Sequence, residues 1–337
     1  MAITGTPTEG RPAPEDLEAA LEAHRRELTG YCYRMLGSGS EAEDAVQETF
    51  IRAWRKIDSF EGRSSLRSWL YRIAHNVCLD MVRSVQRRAR PMELGPPGSA
   101  DGDIGPTRGE KMWVRPVADE RVVPDDGDPG DVAAARESIR LAFVTALQHL
   151  PPKQRSVLIL REVLRWQASE VAELLDTSVA SVNSALQRAR ATLEALPPTG
   201  VDPAPVDEAH ADLLARYVDA FERYDISALV ELLHEDAVMS MPPWELWLRG
   251  PDEIGRWHLG KGAGCEGSRV LPITANGVPG VASYKPADDG TLRPWSIQVV
   301  ESRDGKITAL NHFIYEDLFA EFGLPPALTP DGDPLPA

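Results

Sequence analysis

The sequence contains few cysteines and no long apolar run. Cys32, Cys78 and Cys265 lie far apart, and no CxxC pair occurs. This spacing argues against a zinc site or a disulfide framework, and buried thiols in a reducing cytoplasm explain it better. No apolar stretch approaches the roughly 18 residues of a membrane helix, and the first residues lack a secretion signal's basic and then apolar pattern. We therefore expect a cytoplasmic protein with no membrane segment and no metal.

Acidic residues outnumber basic residues, but the excess is distributed unevenly along the chain. The 337 residues include 36 Lys and Arg against 52 Asp and Glu, a net charge of −16. Segment 51–90 has ten basic and three acidic residues, which gives +7, whereas 91–136 has five and ten, which gives −5. Segment 201–337 has ten and twenty-three, which gives −13. The acidity therefore lies in a connector and the C-terminal third, and the basic segment 51–90 remains a candidate polyanion-binding surface.

Two segments rich in proline, glycine and aspartate show neither helical nor strand periodicity. They predict an acidic flexible linker over 91–136 and a Pro-rich joint over 197–206. Terminal tails are expected over 1–14 and 326–337. The remaining segments predict a helical domain over 15–90, a second helical domain over 137–196 and a C-terminal domain over 207–325.

The first helical domain contains a helix with two distinct faces. Ser40, followed three residues later by Glu43, predicts its N-cap. Its apolar positions recur at helical spacing: Val46, Thr49, Phe50, Ala53 and Ile57. The opposite face carries polar side chains: Asp44, Gln47, Glu48, Arg52 and Arg55, with Ile51 among them.

A later helix of the same domain carries a mostly polar stripe at steps of three and four residues. Its members are Arg72, Asn76, Asp80, Arg83 and Arg87. Alone, such a stripe is often solvated surface. The preceding segment, however, combines Arg63 and Arg67 with the aromatic residues Phe60, Trp69 and Tyr71. Cations for phosphates and flat rings for unstacked bases are typical of single-stranded nucleic-acid binding.

The second helical domain has the rhythm of a helix-turn-helix. Asp176 stands at the turn, where a positive φ is often needed. The following helix places Val182, Leu186, Ala189 and Leu193 inward and exposes Ser181, Ser184, Gln187 and Arg188. Small and amide side chains there suit major-groove docking, although an ordinary helical hairpin would give a similar pattern. Arg188 and Arg190 are few cations for a helix that binds DNA alone.

The residues from Leu17 to Leu196 resemble an extracytoplasmic-function (ECF, group 4) sigma factor of bacterial RNA polymerase. The resemblance rests on "EDAVQETFIRAWRKIDSFEGRSSLRSWLYRIAHNVCLDMVRSVQRR" and on "ALQHLPPKQRSVLILREVLRWQASEVAELLDTSVASVNSALQRARATL". It implies an all-α sigma region 2 that binds the β′ clamp and melts the −10 element. It also implies an all-α helix-turn-helix region 4 that binds the −35 element and the β-flap. Core RNA polymerase and promoter DNA are the implied partners.

The resemblance also implies roles for particular residues. Polymerase binding falls on Asp44, Gln47, Glu48 and Arg52. Binding of the −10 element falls on Arg63 and Ser64, in a loop that captures a flipped base, and on Asn76, Asp80, Arg83 and Arg87. Binding of the −35 element falls on Ser181, Ser184, Gln187 and Arg188.

This sequence departs from the family's pattern in and before the −35 helix. Asn183 and Ala185 stand where relatives commonly have basic residues, and Gln167 where a serine often caps the preceding helix. Fewer phosphate contacts imply weak −35 binding by the protein alone. The core polymerase would supply most of the electrostatic attraction to DNA, and the acidic linker would thread a basic channel of the polymerase.

The C-terminal third combines amphipathic helices with strand patterns, and Asp304-Gly305 predicts a hairpin. This α+β plan resembles the SnoaL-like branch of the NTF2-like fold, a cone with one open pocket. In a sigma factor the resemblance implies regulation in cis. Candidate pocket residues are Trp247, Trp257, His258, Trp295 and His312, although buried histidines and tryptophans are more often structural. We expect no catalytic residues and no cofactor, and a small-molecule ligand stays open.

Three functions compete at this point. The leading one is an ECF sigma factor with a built-in regulatory domain. The second is a small-molecule-gated DNA-binding regulator that does not need the polymerase core. The third is an NTF2-like enzyme with a DNA-binding appendage. Co-purification with core polymerase distinguishes the first two, and turnover of a ligand would support the third.

Overall fold

The computed structural model describes residues 16–60, 62, 64–83, 87–124, 128–196 and 208–336. The chain divides into two compact units whose segments alternate along the sequence. The N-terminal unit comprises 1–87, 121–138 and 146–196, and the C-terminal unit comprises 88–120, 139–145 and 197–337. The predicted tail 1–14 and joint 197–206 lie outside the described residues.

The N-terminal unit is entirely helical in its described part. Its first helices are α1 (Leu17–Glu22), α2 (Arg25–Leu36), α3 (Gly39–Lys56) and α4 (Leu66–Val82). Later helices are α5 (Pro129–Glu137), α6 (Leu141–Leu147, within which the two units divide), α7 (Pro152–Leu158), α8 (Ala168–Leu174) and α9 (Val179–Glu194). A π-helical turn, Ile159–Val163, continues α7. This all-α architecture agrees with the fold expected for regions 2 and 4.

Serine side chains begin the two long helices of the first domain. Ser38 accepts a hydrogen bond from the Glu41 backbone at 3.5 Å, and Ser65 accepts one from Ser68 at 3.1 Å. The prediction of Ser40 as N-cap is therefore wrong by two residues. The N-cap is Ser38, α3 begins at Gly39, and Ser40 lies within the first turn of the helix. The apolar face of α3 is as predicted, with Val46, Thr49 and Ala53 buried.

The helix-turn-helix has the predicted geometry. Asp176 has φ 49° at the turn, and Ser178 caps α9 by accepting from the Ser181 backbone at 3.1 Å. Val182, Leu186 and Ala189 are buried beneath α9. Ahead of α8, Arg165 also has a positive φ, 57°, immediately after the π-helical turn. The loop between α7 and α8 therefore holds its backbone in a conformation that costs energy for any residue other than glycine.

Buried polar contacts join the two halves of this helical unit. The buried Arg155 donates to the Met35 carbonyl and, at 2.7 Å, to the Gln148 side chain. Burial lowers the pKa of the Arg155 guanidinium to about 10, so it is still charged at neutral pH. A buried charge needs such partners. The carbonyl at the end of α2 is thereby held to α7, in a contact between residues 120 positions apart.

The C-terminal unit is a helix-covered mixed sheet. Its helices are α10 (Glu208–Glu222), α11 (Ile226–Glu231), α12 (Pro251–Leu259) and α13 (Asp317–Glu321). Its strands are β1 (Leu233–Ser240), β2 (Trp247–Arg249), β3 (Arg269–Ala275), β4 (Val278–Pro286), β5 (Leu292–Arg303) and β6 (Lys306–Phe313). The order is β2-β1-β6-β5-β4-β3, with β1 and β6 parallel and the other neighbours antiparallel.

One apolar core fills the space between this sheet and its helices. Tyr217 and Phe221 of α10 and Ile254 of α12 pack with strand residues that include Met239 and Leu310. The predicted hairpin joins β5 to β6, and Asp304 and Gly305 both have positive φ, 51° and 71°. The α+β cone expected of this segment is therefore present.

The segment predicted as a flexible linker over 91–136 is instead structured over most of its described length. Its first part belongs to the C-terminal unit, where Trp113, Val114 and Val117 are buried. Its last part forms α5. The prediction failed because it relied on the Pro/Gly/Asp composition of the segment. Its few apolar residues show no periodicity, and the residues they pack against are distant in sequence. We call residues 88–120 the connector strap.

The C-terminal tail is also more ordered than its composition indicated. Leu328 exchanges two backbone hydrogen bonds of 2.9 Å with Leu292, at the start of β5. Leu328 is fully buried and Ala327 nearly so. The expectation of a tail from residue 326 is therefore wrong for this part, because these two apolar residues complete the packing beside the sheet.

Candidate polymerase and nucleic-acid interfaces

The polar face of α3 is accessible, as the sequence indicated. Asp44 and Gln47 are exposed, and Glu48 and Arg52 are half-buried. Glu48 accepts from the Arg52 Nε at 2.6 Å, and this hydrogen bond raises the pKa of the Arg52 guanidinium. The face therefore carries two carboxylates, Asp44 and Glu48, and two arginines, of which Arg52 is paired with Glu48 and Arg55 is exposed.

An apolar groove that sequence reasoning did not single out runs beside this face. Ile51 is 46% exposed and Trp54 is 54% exposed. With Leu21 of α1 and Phe50 they line a groove of about 440 Å³. The sequence does contain an indication of this groove, because Ile51 and Trp54 are large apolar residues on the polar side of an amphipathic helix. Such an exposed patch is typical of a protein-binding surface.

The stripe on α4 is engaged within its own unit. Asp80 is bound by Arg52 and Arg83, each at 3.3 Å. The side chain of Arg72 donates to the Glu173 carbonyl of α8 at 3.0 Å, and Arg87 contacts the His149 ring at 3.1 Å. Asn76 is exposed and Ser64 half-buried, while Arg63 lies outside the described residues. Asp80 is therefore paired with two arginines, and Arg72 contacts the second helical domain, as does Arg87, which lies beyond the end of α4 and not on the predicted helical stripe.

Two aromatic rings, tilted by 57° to each other, and an arginine form a cluster at the start of α4. The Arg67 guanidinium lies 5.2 Å from the Tyr71 ring centroid and 5.1 Å from that of Trp166. The Tyr71 and Trp166 rings are 5.0 Å apart. Glu27 accepts from Arg67 Nε at 2.7 Å and holds the guanidinium in place. We call Arg67, Tyr71 and Trp166 the stacking cluster.

A buried hydrogen-bonded triad lies one turn farther along α4. The His75 Nδ1 is 3.1 Å from the Tyr31 hydroxyl and 3.0 Å from the Ser156 hydroxyl, which are themselves 2.9 Å apart. Burial lowers the pKa of His75 to about 4, so its ring is neutral at physiological pH. Sequence patterns gave no sign of this triad, which positions α7 against α2 and α4.

The exposed side of α9 carries the four residues expected there. Ser181, Ser184, Gln187 and Arg188 all face solvent. Arg188 donates to the Ser184 hydroxyl at 2.6 Å. Arg190 is bound by Glu162, at 3.0 Å from its Nε. The surface that α9 offers is therefore weakly basic, as its sequence indicated.

The five candidate pocket residues do not form one site. His258 and His312 are buried close together, and burial lowers their pKa values to about 4 and about 3, the latter also through the neighbouring His258. Trp257 packs into the core, and Trp295 stacks with the Lys285 ammonium at 3.5 Å. Trp247 instead donates to the Gly95 carbonyl of the connector strap at 3.0 Å.

Both ring nitrogens of His258 and the Nε2 of His312 have no hydrogen-bond partner among the described residues. The His258 ring lies 6.4 Å from the rings of Phe221 and Tyr224. Buried nitrogens without partners are costly unless a water or ligand satisfies them. Three ring nitrogens of these two histidines are therefore buried without a hydrogen-bond partner in the described part of the chain.

An arginine clamp fixes the connector strap to the C-terminal unit. The side chain of Arg115 is 3% exposed and pairs with Glu110 at 3.0 Å, with Glu321 at 3.3 Å and with Asp317. Its guanidinium also lies 4.9 Å from the Tyr315 ring centroid. Hydrogen bonding to Asp317 and the surrounding carboxylates keep the pKa of Arg115 above its ordinary value despite burial.

Backbone hydrogen bonds hold the strap along the rest of its length. Val117 and Asn276 exchange two of them at 3.1 Å, one through the Asn276 side chain. The Gly98 N–H donates to the Trp247 carbonyl at 2.8 Å, and the Ala100 N–H donates to Glu253 at 2.8 Å. These hydrogen bonds, spread from Gly98 to Val117, hold the strap within the C-terminal unit.

No described helix is both long and apolar enough to cross a membrane. Among the described side chains, no cluster of three or more His, Cys, Asp or Glu residues is arranged to hold a metal ion.

Comparisons with known proteins agree with this architecture. Residues 20–88 match the family Sigma-70 region 2, residues 140–193 match Sigma-70, region 4, and residues 214–310 match the SnoaL-like domain. These matches define a bacterial transcription initiation factor with an appended SnoaL-like domain.

Curated relatives cover nearly the whole chain. ECF RNA polymerase sigma factor SigG of Mycobacterium tuberculosis (strain ATCC 25618 / H37Rv) is 44% identical over 94% of this chain and 87% of its own. SigJ of the same strain is 30% identical over 89% and 92%. The crystal structure of Mycobacterium tuberculosis SigJ superposes with a TM-score of 0.58 at 25% identity, covering 91% of this chain and 99% of that one. The chain belongs to the ECF RNA polymerase sigma factors.

Proposed function

We propose that the polar face of α3 and the apolar groove beside it form the polymerase-binding surface of this sigma factor. Asp44, Gln47 and Glu48 would supply charge complementarity to the β′ clamp. Ile51 and Trp54 would supply the apolar area that anchors such interfaces. The observation that carries this assignment is the exposure of Ile51 and Trp54 on the same helix as the exposed Asp44 and Gln47.

We propose that the start of α4 binds the single-stranded −10 element. Arg67 and Tyr71 combine a cation with a ring face, and the exposed Asn76 and Arg83 continue the same helix. The exposed face of α9, with Ser184, Gln187 and Arg188, would bind the −35 element in the major groove. Its weak basic character supports DNA recognition that depends on the polymerase.

We propose that the SnoaL-like domain regulates initiation in cis by binding the connector strap. The strap joins regions 2 and 4, and in this family it would enter a channel of the polymerase. While Arg115 and Val117 are bound to the C-terminal unit, the strap is not available to that channel. Polymerase and the SnoaL-like domain would therefore compete for one segment, and the release of the strap would set the level of activity.

The buried pair His258 and His312 supports a further, smaller proposal. Their unpartnered nitrogens are suited to a small polar ligand inside the cone. Ligand binding would then change the stability of the same unit that holds the strap. Isothermal titration of candidate metabolites against the parent and a His258→Phe, His312→Phe variant tests this. The same heat of binding for the parent and the variant would contradict a ligand site at these histidines.

Run-off transcription with purified core polymerase and a library of promoters tests the proposed function. We expect promoter-specific transcripts that depend on added sigma factor. Trp54→Ala should reduce core binding, whereas Arg188→Ala should weaken −35-dependent promoters and leave core binding unchanged. Binding of promoter DNA that is equally strong with and without core polymerase would instead favour a polymerase-independent regulator.

The role of the strap is tested by Arg115→Glu, which places a fourth carboxylate in the clamp. We expect this variant to bind core polymerase more tightly and to transcribe more than the parent. Arg115→Lys keeps the charge and is the matched control, with an effect in the same direction but smaller. If Arg115→Glu folds normally and transcribes like the parent, the strap does not control activity.

A further inference from the structure

Trp166 occupies an unusual position in the loop between α7 and α8. It follows Arg165, whose φ is 57°, and the π-helical turn Ile159–Val163. π-Helical turns and positive φ at residues other than glycine are uncommon and occur frequently at functional sites. Trp166 is therefore positioned by a loop that combines a π-helical turn with a strained backbone conformation.

The contacts of Trp166 differ from those of an ordinary core residue. The side chain is only 6% exposed, yet its indole N–H has no hydrogen-bond partner among the described residues. A buried indole N–H usually finds an acceptor. Its ring instead lies against Arg67 and Tyr71 of region 2, at 5.1 and 5.0 Å. The Arg67 guanidinium lies over the indole and the Tyr71 ring contacts it at a tilt of 57°, and these are the specific contacts of the ring outside its own domain.

Arg67 and Tyr71 have the chemistry of a base-binding platform. An unstacked base presents a flat π face, and proteins bind it with aromatic rings and arginine planes. The indole of Trp166 is a flat bicyclic ring of the same kind as a purine. Arg72, one residue after Tyr71, donates to the Glu173 carbonyl, so α8 also occupies the neighbouring part of this surface.

We propose that Trp166 takes the place of a promoter base on the Arg67–Tyr71 platform, so that region 4 and single-stranded DNA bind this surface in turn. The inference rests on the proposed role of region 2 in binding the −10 strand. The free protein is then held with its platform occupied, and binding of single-stranded DNA displaces Trp166. The competing partner is single-stranded DNA with at least one unstacked purine.

The test compares Trp166→Leu with Trp166→Phe in the full-length protein. Both replacements are large and apolar, but only phenylalanine keeps a ring that can stack on Arg67 and Tyr71. The probe is a fluorescein-labelled single-stranded DNA of about 12 nucleotides, within the size range of such sites, with adenines at its centre. Anisotropy is measured without polymerase, and circular dichroism checks the folding of each variant.

We expect Trp166→Leu to bind this DNA roughly three- to tenfold more tightly than the parent, as loss of an intramolecular stacking competitor implies. Trp166→Phe should stay within about twofold of the parent on the same reasoning. Arg67→Ala, which removes part of the platform, should weaken binding in every background.

The possible results distinguish the role of Trp166 from the proposed binding of single-stranded DNA by region 2. If Arg67→Ala weakens binding but Trp166→Leu equals the parent, the DNA-binding role stands and Trp166 is only a core residue. If no protein binds the DNA, or Arg67→Ala has no effect, the single-strand role is wrong and the inference fails with it.

A measurement on the unmodified protein covers the case in which Trp166→Leu does not fold. Hydrogen–deuterium exchange of the parent is followed with and without the same DNA. We expect faster exchange over residues 159–170 when DNA is bound, because the loop loses its partner. Unchanged or slower exchange there would overturn the inference.

Discussion

The Arg52 guanidinium lies 3.3 Å from the Asp80 carboxylate, which joins the proposed polymerase-binding helix α3 to the proposed DNA-binding helix α4. Glu48 extends this network on one side and Arg83 on the other. These side chains are substantially exposed, so the pairs add little stability by themselves. They instead link the two helices: if Arg52 on α3 pairs with a new partner, Asp80 on α4 loses one of its two arginines.

Charge reversal on α3 is expected to weaken polymerase binding. Asp44→Lys with Glu48→Lys removes both carboxylates of the polar face of α3, leaves it strongly basic and also repels Arg52. We expect at least a tenfold loss of affinity for core polymerase, about 1.4 kcal/mol, with little change in thermal unfolding. The measurement is co-purification and titration of core polymerase.

The matched control for this variant is Glu194→Lys with Asp212→Lys, which makes the same change of charge at exposed positions elsewhere. It should bind core polymerase like the parent. Equal loss in both variants would mean that overall charge, not the α3 face, determines binding.

Removal of two arginines at the end of α4 is expected to impair promoter melting. Arg83 follows the last residue of α4 and is 77% exposed at its side chain, and Arg87 lies beyond the end of that helix. If both contact phosphates, Arg83→Ala with Arg87→Ala should slow open-complex formation and lower the salt-dependence slope by about one unit per lost contact. Core binding should persist. The same transcription by both proteins across a range of salt concentrations would contradict this assignment.

A protein that ends near Pro198 is expected to transcribe more than the parent. Truncation removes Asp317, Glu321 and Asn276, which hold the connector strap. It also removes the partners of the buried Trp113, so lower solubility is an expected side effect. Core affinity and promoter-specific transcription are measured together. Identical values for the two proteins would mean that the SnoaL-like domain does not act through the strap.

Stability of the C-terminal unit should depend on pH through His258 and His312. Their pKa values in the folded protein, about 4 and about 3, lie below the ordinary value of about 6.5. Below pH 6.5 the unfolded chain binds protons that the folded chain does not, so stability falls as pH decreases toward about 4. The slope approaches about 1.4 kcal/mol per pH unit for each histidine.

Thermal unfolding from pH 7 to pH 4.5 measures this slope. His258→Phe with His312→Phe should flatten it, whereas His234→Gln, outside the buried pair, should leave it unchanged. An unaltered slope in the double variant would show that other groups dominate the acid sensitivity.

Local sequence patterns predicted local structure well. Asp176 and Asp304-Gly305 adopt the backbone conformations expected of turn residues. Most predicted apolar positions of α3 and α9 are buried, whereas Phe50, Ile57 and Leu193 are half-buried. Ser38 displaced Ser40 as N-cap because two serines two residues apart offer nearly equal caps. The polar positions of α9 and α3 were found because helix periodicity determines which residues share a face.

The parts that could not be predicted depend on pairs of residues distant in sequence. Arg115 and Asp317 are 202 positions apart, and nothing near either residue indicates the other. Trp166 reads as a core residue until its contacts with Arg67 and Tyr71 are known. Trp247, expected in the pocket, instead hydrogen-bonds the strap, because alternation along a short strand predicts two faces but not which one is covered.

The interleaving of the two units has a consequence for synthesis on the ribosome. The connector strap is translated before the sheet that binds it, and Arg115 precedes its partner Asp317 by 202 residues. At about 5–20 residues per second, roughly ten to forty seconds pass between them. Regions 2 and 4 are complete before the strap is captured, so each newly made molecule passes through an interval in which its connector is still unbound. Pausing of translation within the SnoaL-like domain would lengthen that interval without any change in the finished protein.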